Sequence, residues 1–197
     1  MAKLKLTKNE QKKQKDSLKR FERYLPTLML KKQQLQAEIR IVEVRINELH
    51  RIKERAQENL KKWSGIFNDE GVFTPDLLKV TKVITREGNV AGVAIPVFEE
   101  AEFETAQYDL LEKPLWLDTA IDYMKKGLLL DLEINSLEEQ QRRLRKELQS
   151  TSQRVNLFEK IKIPEARANI KKIGIYLGDQ QTAAVVRGKI SKRGMEG

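Results

Sequence analysis

With 197 residues, 34% of them charged and only 6% aromatic, the chain is too hydrophilic to fill a globular core of its own length. That balance suits long helices that bury one stripe and solvate the rest, and the absence of cysteine excludes disulfides and thiolate chemistry. The net charge of +9 sits at the ends: residues 1–20 hold eight Lys/Arg against two acids and residues 185–197 hold four against one, whereas residues 64–112 hold ten acids against Lys79, Lys82 and Arg86.

The opening "MAKLKLTKNEQKKQK" has no apolar core and does not read as a secretory signal. Thr7 and Glu10 form a capping box, in which the Thr side chain serves the Glu amide and the Glu reaches back. Apolar residues then recur at Leu18, Phe21, Leu25, Leu28, Leu35, Ile39, Val42, Ile46, Leu49, Ala56, Leu60 and Trp63, with Lys32 and Lys53 in the gaps. Steps of three and four sustained this long predict one coiled-coil helix, about 85 Å at about 1.5 Å per residue. Pro26 removes one backbone bond and predicts a kink.

The character changes in the middle. "LKVTKVITR" (78–86) is rich in β-branched residues, "EGN" (87–89) reads as a turn, and "VAGVAIPVF" (90–98) follows, with Pro96 confining that part to an edge or strand end. The expected structure is a β-hairpin over about 78–98. Being marginal alone in water, it must pack on the helices or on a partner. Its nine-residue run Val90–Phe98 is also the longest apolar or small stretch, against the about 20 that a membrane span needs.

A second periodic stretch begins near Pro114, a favourable first-turn proline. Its seam is Ile121, Met124, Leu128, Ile134, Leu137, Gln141, Leu144, Leu148, Thr151, Val155 and Phe158, continuing after Pro164 as Ala166, Ile170, Ile173 and Leu177. The run "GLLLDLEI" thickens the stripe at Leu128, Leu129 and Leu130, so something beyond one partner helix is expected to cover it. Neither helix is stable with a wet apolar stripe. The expected fold is mainly α: a long antiparallel two-helix coiled coil of the N-terminal (1–63) and C-terminal (114–197) segments. A central insert (64–113) carries the hairpin. In that arrangement residue 8 faces about residue 171, Trp63 and Trp116 meet near the hinge, and the two basic termini share one end, away from the acidic insert.

No catalytic constellation emerges. The lone His50 lacks companions and reads as a solvated helix residue. "VRGKIS" has a Gly-Lys pair without the upstream glycine of a phosphate loop, and Glu99, Glu100, Glu102 and Glu104 read as a solvated face. No catalytic residue, cofactor or metal is expected.

Two motifs resemble a known family, the D subunits of the V-type (A-type) ATPase/ATP synthase. "NVAGVAIPVFE" is similar to the family pattern at Asn89, Val90, Gly92, Val93, Pro96 and Phe98, with Ile95 where Leu is usual. "RVNLFEKIKIP" is similar at Arg154, Val155, Asn156, Glu159, Ile163 and Pro164. The tail beyond Ile173 departs from the family pattern in its glycines and small residues. The resemblance implies a non-catalytic rotor axle, the central stalk, cytoplasmic and peripheral to the membrane. It would run through the hexamer of A and B subunits, pair with the small F subunit and rest on a socket subunit above the membrane ring. It implies partner-binding roles for the hairpin (Asn89, Val90, Gly92, Val93, Ile95, Pro96, Phe98) or for Leu128, Leu129 and Leu130. The basic ends themselves suggest a hexamer-facing tip of Lys3, Lys5, Lys8, Lys12, Arg187, Lys189, Lys192 and Arg193. The other readings of the same features are a nucleic-acid-binding coiled coil and a scaffold or chaperone-like coiled coil. The few aromatics among the basic clusters and the acidic insert speak against nucleic acid.

Overall fold

The computed structural model describes residues 4–63, 77–106, 114 and 116–195. The elements in order are α1 (Lys8–Trp63), β1 (Leu78–Val90), β2 (Val93–Thr105), α2 (Leu117–Leu157), a π-helical turn (Phe158–Lys162) and α3 (Ile163–Met195). The chain is thus mainly helical with one antiparallel hairpin. It divides into two compact units, Gln33–Leu148 and the paired terminal segments Met1–Lys32 with Gln149–Gly197.

In the Gln33–Leu148 unit, α1 and α2 run antiparallel. Leu35, Ile39, Val42 and Ile46 share one buried cluster with Leu144 and with Ile95 of β2. Ion pairs from Arg45 to Glu133, Lys53 to Asp131 and Arg145 to Glu43 flank the seam. A second cluster joins Leu77 and Leu78 to Leu117 and Ile121, with Phe103, Trp116 and Leu128 against it. The side chain of Trp63 lies outside the described residues, so the expected pairing of the two tryptophans does too.

The hairpin lies along these helices. Its open end packs near Leu117 and its turn near Leu35 and Leu144. The lengths agree: Leu117 and Leu144 lie about 40 Å apart along an α-helix, and a strand of 13 residues spans about 43 Å. The turn lies three to four residues later than the sequence reading placed it. Val90 pairs with Val93, leaving Ala91 (φ 50°) and Gly92 (φ 79°) as a two-residue connection. Positive φ at both central positions is the type I′ geometry, whose twist matches the strands. The Asn89 side-chain oxygen accepts from the Gly92 amide at 3.0 Å and fixes the turn. "EGN" is therefore strand, and β2 continues past Phe98 to Thr105, its acidic run paired with the basic β1 through Arg86–Glu99 and Lys82–Glu102.

In the terminal unit the pairing is again antiparallel. The rings of Phe21 and Phe158 sit 5.1 Å apart, Arg167 bonds Glu22, and Gln11 lies against Gly174. The Thr7 hydroxyl accepts the Glu10 amide, half of the predicted capping box. Helix α1 runs unbroken through Pro26.

Pro164 is handled differently. Its missing amide and its ring both conflict with the carbonyl four residues back. The chain widens just before it, with the Ile163 amide bonding the Phe158 carbonyl five residues back. A π turn takes up one extra residue, and the apolar pattern carries that residue. The seam steps 144, 148, 151, 155, 158, then jumps five to Ile163, and resumes 166, 170, 173, 177. The sequence reading passed over Ile163, which is buried. It also put Gln141 on the seam, where Gln140 is the more buried neighbour, and Met124, which stays 39% exposed.

Candidate partner interface

The hairpin is positioned by side chains of β2 and by two hydrogen bonds from α2. Ile95 is 5% exposed and belongs to the chain's own core. On either side of it, Arg143 donates to the Ala94 carbonyl and Ser136 to the Pro96 carbonyl, both at 3.2 Å. Pro96 costs nothing as a donor here, because a two-stranded sheet consists of edges. Val90 and Val93 are half-buried against the same cluster, whereas Asn89 and Gly92 are exposed at the turn. Phe98 is half-buried. Of the seven hairpin residues named from the sequence, Ile95 is thus committed inward, and the rest retain accessible surface.

Arg143 is itself held. Glu139 accepts from Arg142 at 2.6 and 2.7 Å and from Arg143 at 2.8 Å. Hydrogen bonds from Arg142 and then Arg143 pull the Glu139 carboxyl down to about 2. The carboxylate aims the guanidinium that tethers the hairpin.

Leu128, Leu129 and Leu130 are each half-buried, and the hairpin supplies part of the extra cover that their crowding predicted. Leu129 and Leu130 line a hollow of about 510 Å³ with Phe98, Glu99, Glu100, Lys126 and Glu133. Leu130 and Lys126 also border a groove of about 450 Å³ between α1 and α2, walled by Ile52, Ala56, Leu60, Tyr123 and Met124. Gly127 lies on this groove, with open space where a Cβ would project. Large apolar side chains left in a groove of this size make it a candidate binding surface. The sequence reading missed Ile52 and Tyr123. Ile52 falls between seam positions, and only the crossing of two helices turns it into a groove wall.

The residues of the second motif do not converge on one pocket. Val155 is buried in the seam, Arg154, Asn156 and Glu159 are exposed, and Glu159 lies within the π turn that precedes Pro164. At the chain ends, Lys5, Lys8, Lys12, Arg187, Lys189, Lys192 and Arg193 are all exposed, and Lys3 lies outside the described residues. Every residue from Gly178 to Arg193 is exposed, including Val185, Val186 and Ile190. No group of His, Cys, Asp or Glu able to hold a metal occurs among the described residues. Among the same residues, no helix is long and apolar enough to cross a membrane.

Residues 10–193 match the family model that describes the ATP synthase D subunit. The chain belongs to the family of ATP synthase D subunits. It is 51% identical over 196 residues to the D subunit of the V-type ATP synthase of Borreliella burgdorferi, covering 98% of this chain and 95% of that one. It is 34% identical over 192 residues to the same component of Chlamydia caviae, covering 96% and 92%. A similar match, 34% over 197 residues, is found with Chlamydia muridarum, covering 96% and 95%. Membership in this family makes the chain a component of a V-type ATPase complex. The two motifs of the sequence reading fall within the matched span.

Proposed function

We propose that the chain is the central rotor axle of the complex, carrying torque between the ATP-processing A/B hexamer and the ion-translocating membrane ring. It performs no chemistry itself. The observation that carries this reading is the end of α3. Its last half-buried position is Leu177, and the next sixteen residues, with four cations, are exposed. A solitary helix end with alternating Val/Ile and Lys/Arg has no intrachain reason to persist. A sleeve of surrounding subunits gives it one.

The proposed division of labour follows the residues. The basic tip (Lys3, Lys5, Lys8, Lys12, Arg187, Lys189, Lys192, Arg193) turns inside the A/B hexamer, where small neighbours such as Ala183 and Ala184 avoid interlocking. Two packed helices resist bending and twisting. The hairpin (Asn89, Val90, Gly92, Val93, Pro96, Phe98) and the Leu128–Leu129–Leu130 surface receive the small F subunit, and a socket subunit connects the axle to the membrane ring. The protein therefore works on the cytoplasmic side, peripheral to the membrane. Sequential ATP turnover pushes an asymmetric two-helix cross-section, and the axle turns.

The test is a cross-link. In the assembled complex, Arg187→Cys or Lys189→Cys is joined to a cysteine in the A/B hexamer. Coupled turnover should stop and recover on reduction. Turnover that continues while the tip is covalently fixed refutes the axle role.

A further inference from the structure

Both long helices of the terminal unit lose part of their backbone ladder at nearly the same level. In α1, Pro26 has no amide for the carbonyl of Glu22, four residues back. On the facing helix, Pro164 has no amide for the carbonyls of Lys160 or Glu159, four and five residues back, and the π turn Phe158–Lys162 lies just before it. The Phe21–Phe158 ring pair marks the level. Pro26 lies five residues beyond Phe21 and Pro164 six beyond Phe158, in opposite directions because the helices are antiparallel. The two interruptions therefore fall within about 17 Å of each other along the axis, at about 1.5 Å per residue.

The packing is thin at the same level. No residue of α1 from Lys8 to Lys32 is buried, whereas Leu35, Ile39, Val42, Ile46 and Leu49 are. Beside the π turn lies a polar hollow of about 200 Å³, walled by Gln14, Ser17 and Phe21 of α1 and by Lys162, Glu165 and Asn169 opposite. A hollow of that size and polarity can admit water as the ladder opens. The Arg167–Glu22 pair that ties the two helices here is exposed at both ends and adds little stiffness. Helix bends concentrate at prolines, at π bulges and where water enters the ladder, and this section combines all three conditions.

We infer that Phe21–Pro26 and Phe158–Pro164 together form a compliant hinge within the terminal unit. Bending of the helix pair collects at this level, where the ladder is interrupted in both helices, and not along the seam on either side. The hinge is a property of the helix pair and holds whether or not the assembly rotates. Its use rests on the axle reading: the tip beyond it stays seated among the surrounding subunits while they push the rest of the pair sideways.

The experiment uses the full chain, which has no cysteine of its own. A lanthanide tag on Lys189→Cys orients the molecule, and residual dipolar couplings of backbone amides are read on the two sides of the hinge. In the parent, the mean coupling of residues 149–157 should fall about a third below that of residues 168–176. A straightened variant deletes Lys160 and carries Pro164→Ala and Pro26→Ala. There the two means should agree to within about a tenth, and hydrogen exchange over residues 158–168 should slow roughly tenfold. If circular dichroism shows that the deletion costs helix, Pro26→Ala with Pro164→Ala keeps the residue count and should still narrow the difference. Equal couplings on both sides in the parent overturn the inference, as does a difference that neither variant changes. The couplings are read on the chain itself, so a failed tip cross-link leaves the hinge standing. In the assembled complex the straightened chain should lower coupled turnover about threefold without loss of subunits. Undiminished turnover overturns the use assigned to the hinge.

Discussion

Replacing Ile95 by Ala should undock the hairpin before it unfolds the helices. Ile95 is 5% exposed and sits between the two carbonyls that α2 tethers. The change deletes three buried carbons, about 2.4 kcal/mol at about 0.8 kcal/mol each. Incomplete collapse of the site adds a cavity term, placing the total within the usual range of about 2–5 kcal/mol for such truncations. Even the lower figure shifts the docking equilibrium roughly fifty-fold, at about 1.4 kcal/mol per factor of ten. A free two-stranded ribbon has little stability of its own, so undocking should expose the backbone amides of β1 and β2. Hydrogen exchange resolved by peptide reads this directly: exchange over Leu78–Thr105 should accelerate by tens of fold. The peptides of α3 should keep their parental rate, since they lie in the other unit. Phe98→Ala, at a half-buried position, should give a smaller effect. The reasoning fails if hairpin exchange is unchanged, or if α3 exchange rises as much as that of the hairpin.

Thr151 is 1% exposed and its hydroxyl has no hydrogen-bond partner among the described residues, so Thr151→Val should stabilise the chain by about 1–2 kcal/mol in a denaturant titration. The Glu139 carboxyl, held near 2 by Arg142 and Arg143, should titrate in an NMR carbonyl-shift series well below the ordinary 4.5. A depressed value in the fold means that its contribution is present above about 4.5 and is lost as the pH falls through about 2, so the Arg143 tether should persist through mild acid. Deleting Lys160 removes the extra residue of the π turn and returns Pro164 to an α-helical interior, at a cost of about 3 kcal/mol. Combining the deletion with Pro164→Ala should recover most of that loss, and strictly additive melting data would count against the account of the bulge.

The sequence alone determined the helices, their antiparallel pairing and the existence of the hairpin. Each rests on a local period: three and four for the seams, β-branched alternation for the strands. Thr7 and Glu10 marked a start, and the seam from Leu18 to Leu60 is buried or half-buried at every apolar position. The turn was misplaced because Gly88 and Asn89 carry turn chemistry while Ala91 does not. The backbone accepted positive φ at Ala91 so that Ile95 could reach the core. The five-residue jump from Phe158 to Ile163 was also written in the chain, but it reads as a slip until the π turn explains it.

What only the tertiary structure decided is which apolar residues are left over. Ile41, Ile52 and Tyr123 have ordinary helical spacing. Whether each is core, groove or bare surface depends on where the hairpin lies and how α1 meets α2. Periodicity fixes the faces of a helix, because they follow from its own geometry. Which face stays uncovered depends on residues far away in sequence, such as Ile95 against Leu35 and Leu144.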